Sequence, residues 1–149
     1  MKQRTKARSV ALQALYEIDI TNHPVGTVLE NRLNEAGLDE ALGEFSRQIV
    51  FGIVPIRELL DEYIAIHAPE WPIGQVSTID RNLLRIAFWE FAISQITPIK
   101  VAINEAVELA KIFGSDSTPR FVNGVLGSLA SRKNEIIQSL ANRLGDNSE

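Results

Sequence analysis

Cysteine is absent, and histidine occurs only twice, as His23 and His67. Without cysteine there is no disulfide, no thiolate nucleophile and no sulfur ligand for a metal. Neither histidine has a carboxylate cluster at metal-ligand spacing around it, and no glycine-rich loop precedes a lysine in the way a phosphate cradle requires. No apolar run approaches the ~18–20 residues that span a bilayer. The basic start is followed by Gln13, Glu17 and Asp19, which break the apolar core a signal peptide needs. These absences predict a cytoplasmic protein that is not an enzyme, with no metal, no cofactor and no membrane partner.

The residues that are present suit one folded domain. Hydrophobic residues make up 45% and charged residues 23% of 149, the balance of an ordinary globule with little disorder. The net charge of −4 conceals an asymmetry. Lys2, Arg4, Lys6 and Arg8 all precede the first acid, Glu17, and leave 11 basic against 19 acidic residues in the remainder. A basic end on an acidic body points to a local anion site, here nucleic acid, rather than a surface that coats polyanions. A solvated charged terminus is the plainer alternative.

Helical periodicity runs through the chain. Ala7, Val10, Ala11, Ala14, Leu15 and Ile18 form one apolar stripe of a first helix. A second carries Val25, Val28, Leu29 and Leu33, entered near Pro24 and stopped at Gly37. A third starts after the N-cap residue Asp39 and keeps its phase from Leu42 to His67, with a kink expected at Pro55 or a clean break at Val54. The Pro/Trp stretch 68–74 divides the chain. Beyond it, a fourth helix from near Ser77 is apolar on most sides and therefore central. Thr97-Pro98 and Thr118-Pro119 each read as an N-cap and first helical proline for the fifth and sixth. A seventh carries Ile136, Ile137, Leu140 and Leu144, and the tail from Gly145 is expected to be loose. The fold class is all-α, with no strand alternation.

Four blocks carry a family likeness: Arg8 with Val10 to Tyr16; Asp80 to Ala87 with Glu90; Pro98 to Lys111; and Phe113-Gly114 with Arg120-Phe121-Val122-Asn123-Gly124-Val125-Leu126. In order and spacing, over essentially the whole chain, they resemble the NusB family. The resemblance implies a seven-helix NusB-like fold, two three-helix subdomains packed together plus an extra helix. It implies one domain over 1–149, with an N-terminal helical subdomain at 1–69 and a C-terminal one at 75–149. It further implies binding to boxA-type single-stranded RNA with the small-subunit ribosomal protein NusE, within the transcription elongation complex, in antitermination and ribosomal RNA transcription. The domain also occurs fused to a ribosomal RNA cytosine methyltransferase. This chain ends where that catalytic part would begin, so the free-standing factor is expected. An RNA-docking accessory of such a methyltransferase, or a structural helical homodimer, are the alternative readings.

Physical reading assigns the site residues as follows. Arg4 and Arg8, one turn apart, share a helix face with Lys6 to one side, and with Lys2 they can meet successive phosphates. The resemblance places RNA on this helix, although Thr5 stands where the family often has another arginine. Phe121, beside Arg120 in the first turn of helix six, suits stacking on an unpaired base, or packing under the Trp71 linker or against the core. Asn123 follows it as an RNA contact, and Gly124, costly inside a helix, implies close approach of another helix or of RNA. Leu12 and Tyr16 form either an exposed apolar strip for a protein partner or part of a broad buried face. Asp80 suits the helix dipole, and the resemblance adds a role in binding NusE. Glu90, Asn104 and Glu105 are expected to make internal hydrogen bonds, to Arg85 or to helix ends. His67 follows the core phase and is expected to be a satisfied core histidine.

Overall fold

A computed structural model describes residues 1–69 and 75–146. Helix α1, Gln3–Ile20, ends where the Thr21 amide and hydroxyl both bond the Glu17 carbonyl. Helix α2, Val25–Ala36, is closed by Gly37 at φ 64°, in the left-handed region that favours glycine, with its amide on Leu33 O. Helix α3, Glu40–Ile53, starts with the Asp39 carboxylate accepting the Leu42 amide at 2.9 Å. One 3-10 turn, Val54–Ile56, leads into α4, Arg57–Ile66. Pro55 has no amide to return to Phe51, so the helix tightens for one turn and resumes; it does not break at Val54.

Helix α5, Thr78–Phe88, is capped by the Ser77 hydroxyl, which accepts the Asp80 amide at 3.1 Å. It continues as a π-turn, Trp89–Ser94, that ends at Gln95 with φ 56°. Helices α6 (Ile99–Phe113), α7 (Thr118–Ser131) and α8 (Lys133–Asp146) complete the order. With α3 and α4 counted as one interrupted helix, the described residues form seven helices and no strand. None of these helices is long and apolar enough to cross a membrane. Three expected details differ. Thr118 is not the N-cap of α7 but its first residue, after Ser117, and its hydroxyl donates to Asp80. The Thr97 hydroxyl does not cap α6 but donates to the buried Glu90 carboxylate at 2.7 Å. Gly145 is helical within α8. Residues 70–74 of the dividing stretch and 147–149 of the tail lie outside the described residues.

Helices α1, α2 and α3 pack on one another, as do α5, α6 and α7, and the contact of α1 with α5 joins the two sets. As expected, α5 is central: every residue from Asn82 to Ala92 is buried. Less expected is that α1 is nearly as enclosed, because it touches α2, α3, α5 and α6. Phe88 sits between Tyr63 and Phe91, with ring centroids 6.0 and 5.7 Å away. Gly52 lets the Trp89 indole lie directly on α3; a Cβ there would stand 2.5 Å from the ring.

Candidate nucleic-acid interface

Wedged between helices, the start of α1 divides its four cations into two kinds. Lys2, Arg4 and Lys6 are exposed, and none has an ion-pair partner among the described residues. Arg8 is only 3% exposed. Its Nε and Nη2 donate to the Glu90 carboxylate at 2.9 and 2.7 Å, and its Nη1 lies 3.7 Å from Glu105. Glu105 in turn accepts the Thr5 hydroxyl at 2.6 Å. The expected phosphate contact by Arg8 is therefore corrected: its charge is met inside by the buried Glu90, which could not stay buried without it, and by the half-buried Glu105. The internal partner of Glu90 and Glu105 is likewise Arg8, not Arg85. Beside the free cations, a cleft of about 750 Å³ runs between α1 and α6, lined by Met1, Lys2, Glu105, Glu108, Lys111 and Ile112.

At its other end, α1 is anchored by a second ionic cluster. Asp19 bridges Arg57 at 2.9 Å and Arg85 at 2.7 Å, and also accepts the Asn82 amide. Arg85 holds Asp61 through two bonds at 2.8 and 2.6 Å. Burial by itself would lower the Arg85 pKa, but Asp61 and Asp19 outweigh it and raise the guanidinium above its usual value. Beside this cluster two large apolar side chains of α1 are exposed. Tyr16 is 37% and Ile20 54% exposed, one turn apart. Leu12 is 0% exposed, so the partner-facing role expected of it is corrected. It faces the helices that enclose α1. The strip that remains runs from Tyr16 to Ile20, a residue the sequence reading passed over although its i+4 spacing from Tyr16 was visible. Glu17, between them, is bound to Arg32 at 3.0 Å and His23 at 3.0 Å, and these bonds, His23 first, pull its pKa down.

The first turn of α7 forms a third patch. Phe121 is half-buried against the core, and with Arg120 it lines two clefts. One, of about 410 Å³, is shared with Val76, Ser77 and Asp80; the other, of about 290 Å³, with His67, Gly124 and Val125. Asp80 is half-buried and accepts the Thr118 hydroxyl at 2.9 Å, which ties α5 to α7 while leaving the carboxylate on a cleft wall. Asn123 is exposed. Apart from its chain neighbours and its own helix backbone, no described residue comes within 4 Å of a Cβ placed on Gly124, so no other described helix accounts for that glycine. Packing of Phe121 under Trp71 lies outside the described residues. His67 closes α4, half-buried, with Nδ1 2.7 Å from Ser128 Oγ; burial and then Arg132 lower its pKa. Lys2 and Phe121 thus line separate clefts that share no lining residue.

Among the described residues no group of His, Asp or Glu is placed to hold a metal ion. The molecule is an all-helical protein whose exposed chemistry lies in surface patches and shallow clefts. The profile described as the NusB family matches residues 5–131, and the chain belongs to that family. It is 48% identical over 132 residues to the transcription antitermination protein NusB of Chloroflexus aggregans, covering 87% of this chain and 88% of that one. The Bacillus subtilis protein of the same name is 41% identical over 131 residues, with 88% and 96% covered. The crystal form of T. maritima NusB superposes with a TM-score of 0.79 at 31% identity, over 86% of this chain and 90% of that one. A chain in the crystal structure of antitermination factors NusB and NusE with double-stranded RNA matches with a TM-score of 0.79 at 25% identity, over 87% and 96%.

Proposed function

We propose that this chain is an RNA-binding transcription antitermination factor that binds boxA-type RNA together with NusE and supports ribosomal RNA transcription. It acts by binding, without chemistry of its own, in the cytoplasm and within the transcription elongation complex. The observation that carries this reading is the set of exposed cations Lys2, Arg4 and Lys6, without ion-pair partners among the described residues, on an otherwise acidic protein, in a fold that a relative shares in a complex with NusE and RNA. On this reading the three cations meet phosphates. Phe121 offers a ring for base stacking at a helix start whose clefts also hold Arg120, and Asn123 lies exposed on the same helix. The Tyr16–Ile20 strip and Asp80 serve the protein partner. The test is a binding titration with boxA-type and scrambled RNA, each with and without NusE. Tighter binding of the boxA-type RNA, strengthened further by NusE, is the expected result. Equal affinity for both RNAs with no effect of NusE would refute the proposal.

A further inference from the structure

We infer that Phe45 is a positioning residue for RNA: its ring holds the Arg4 guanidinium at the surface, ready for a phosphate. The inference rests on the RNA reading above. The Arg4 guanidinium carbon lies 4.7 Å from the Phe45 ring centroid, and that of Arg8 lies 5.0 Å from the same centroid. The ring is firmly set. Phe45 is 5% exposed on α3, and its neighbour Ser46 donates to the Ala7 carbonyl of α1 at 2.8 Å. Arg8 is held by Glu90 and Glu105, so only Arg4 is left to reach outward.

The nature of this support matters for binding. A carboxylate would hold Arg4 through its N–H groups, and those bonds would have to be surrendered before a phosphate took them. A ring attracts the cation through its quadrupole and uses no N–H, so all five donors stay available. A long side chain that binds from free solution also loses rotamer freedom, and one already resting on a ring loses less. The charge of Arg8, which shares the ring, is met by two carboxylates and so repels Arg4 little. Among the described residues no ring contact is made by Lys2 or Lys6, which act as point charges. Arg4 is thereby the cation of the three that sets the position of the strand.

The experiment measures affinity of the full chain for boxA-type single-stranded RNA across a salt series. The variants are Phe45→Leu, Phe45→Tyr, Arg4→Ala and the Phe45→Leu/Arg4→Ala double. Phe45→Leu is expected to weaken binding about three- to tenfold, from the ordering cost of one long side chain. The salt slope should stay near that of the wild type, because the charge remains. In the Arg4→Ala background the same change should add nothing, and Phe45→Tyr, which keeps the ring, should bind like the wild type. Equal weakening by Phe45→Leu with and without Arg4 would overturn the inference, since the ring would then act only through α1–α3 packing. No weakening would overturn it too. A second measurement stands even if Phe45→Leu fails to fold: in the free wild-type protein the Arg4 side-chain NMR signals should be ring-shifted and ordered, then move when RNA is added. Averaged, unshifted signals would overturn the inference while leaving the RNA reading intact. Absence of any wild-type RNA binding, with those signals still ring-shifted, would refute the RNA reading and this role with it.

Discussion

The two ends of α1 are built alike inside and unlike outside. Each is anchored by a buried arginine held between two acids: Arg8 by Glu90 and Glu105 at the start, Arg85 by Asp19 and Asp61 at the end. Outside, the start shows three cations with no ion-pair partner among the described residues, and the end shows Tyr16 and Ile20. Surface charge therefore cannot be read from a count of basic residues, because the interior takes its share first. On the function proposed above, what is left over divides one helix between a polyanion-facing start and a protein-facing end.

Breaking the inner clusters should have the largest effect. Arg8→Ala leaves Glu90, which is 0% exposed, without its cation, and should cost about 3–5 kcal/mol of stability in urea unfolding. Arg85→Ala should cost less, about 1–3 kcal/mol, because Asp19 and Asp61 still reach water. A greater loss for Arg85→Ala would invert the comparison. Outside, Tyr16→Asp should weaken NusE binding by about 2 kcal/mol or more while leaving RNA binding by the chain alone unchanged. The Lys2/Arg4/Lys6 triple alanine variant should do the reverse. For single-stranded RNA its slope of log affinity against log salt should flatten by about 0.7 per lost phosphate contact, about 2 in all, with helicity unchanged. Equal slopes for variant and wild type would remove the start of α1 from the RNA site.

The smallest effect belongs to Glu17. Its pKa is lowered in the fold, so its contribution is present above the ordinary carboxylate value near 4.5 and is lost as pH falls through the lowered value. Glu17→Gln should therefore reduce the fall in urea midpoint between about pH 5.5 and pH 3.5. No difference from wild type would show that this exposed pairing contributes nothing.

Most of the fold was legible in local pattern. Gly37, Asp39 and Pro55 act where the stop, cap and kink signals stood, because each works on backbone groups within one turn of itself. The π-turn at Trp89–Ser94 was not legible, since nothing in the local periodicity marks a shift to a wider turn. Arg8 was misread because its partner Glu90 is 82 residues away, and pairing at that range follows tertiary packing alone. A signal for it did exist. Arg8 shares its helical phase with Leu12 and Leu15, and Glu90 stands alone in the apolar run from Ile86 to Ala92, so each needed the other. Leu12 belonged to a buried arc wider than a one-sided stripe, which only the number of helices around α1 reveals.

The division of α1 is tested most directly by amide chemical-shift mapping with each partner added alone. RNA should perturb the amides of residues 2–6 and leave those of Tyr16 to Ile20 in place, and NusE should do the opposite. Perturbation of both ends by RNA to the same degree, or of neither, would contradict the account.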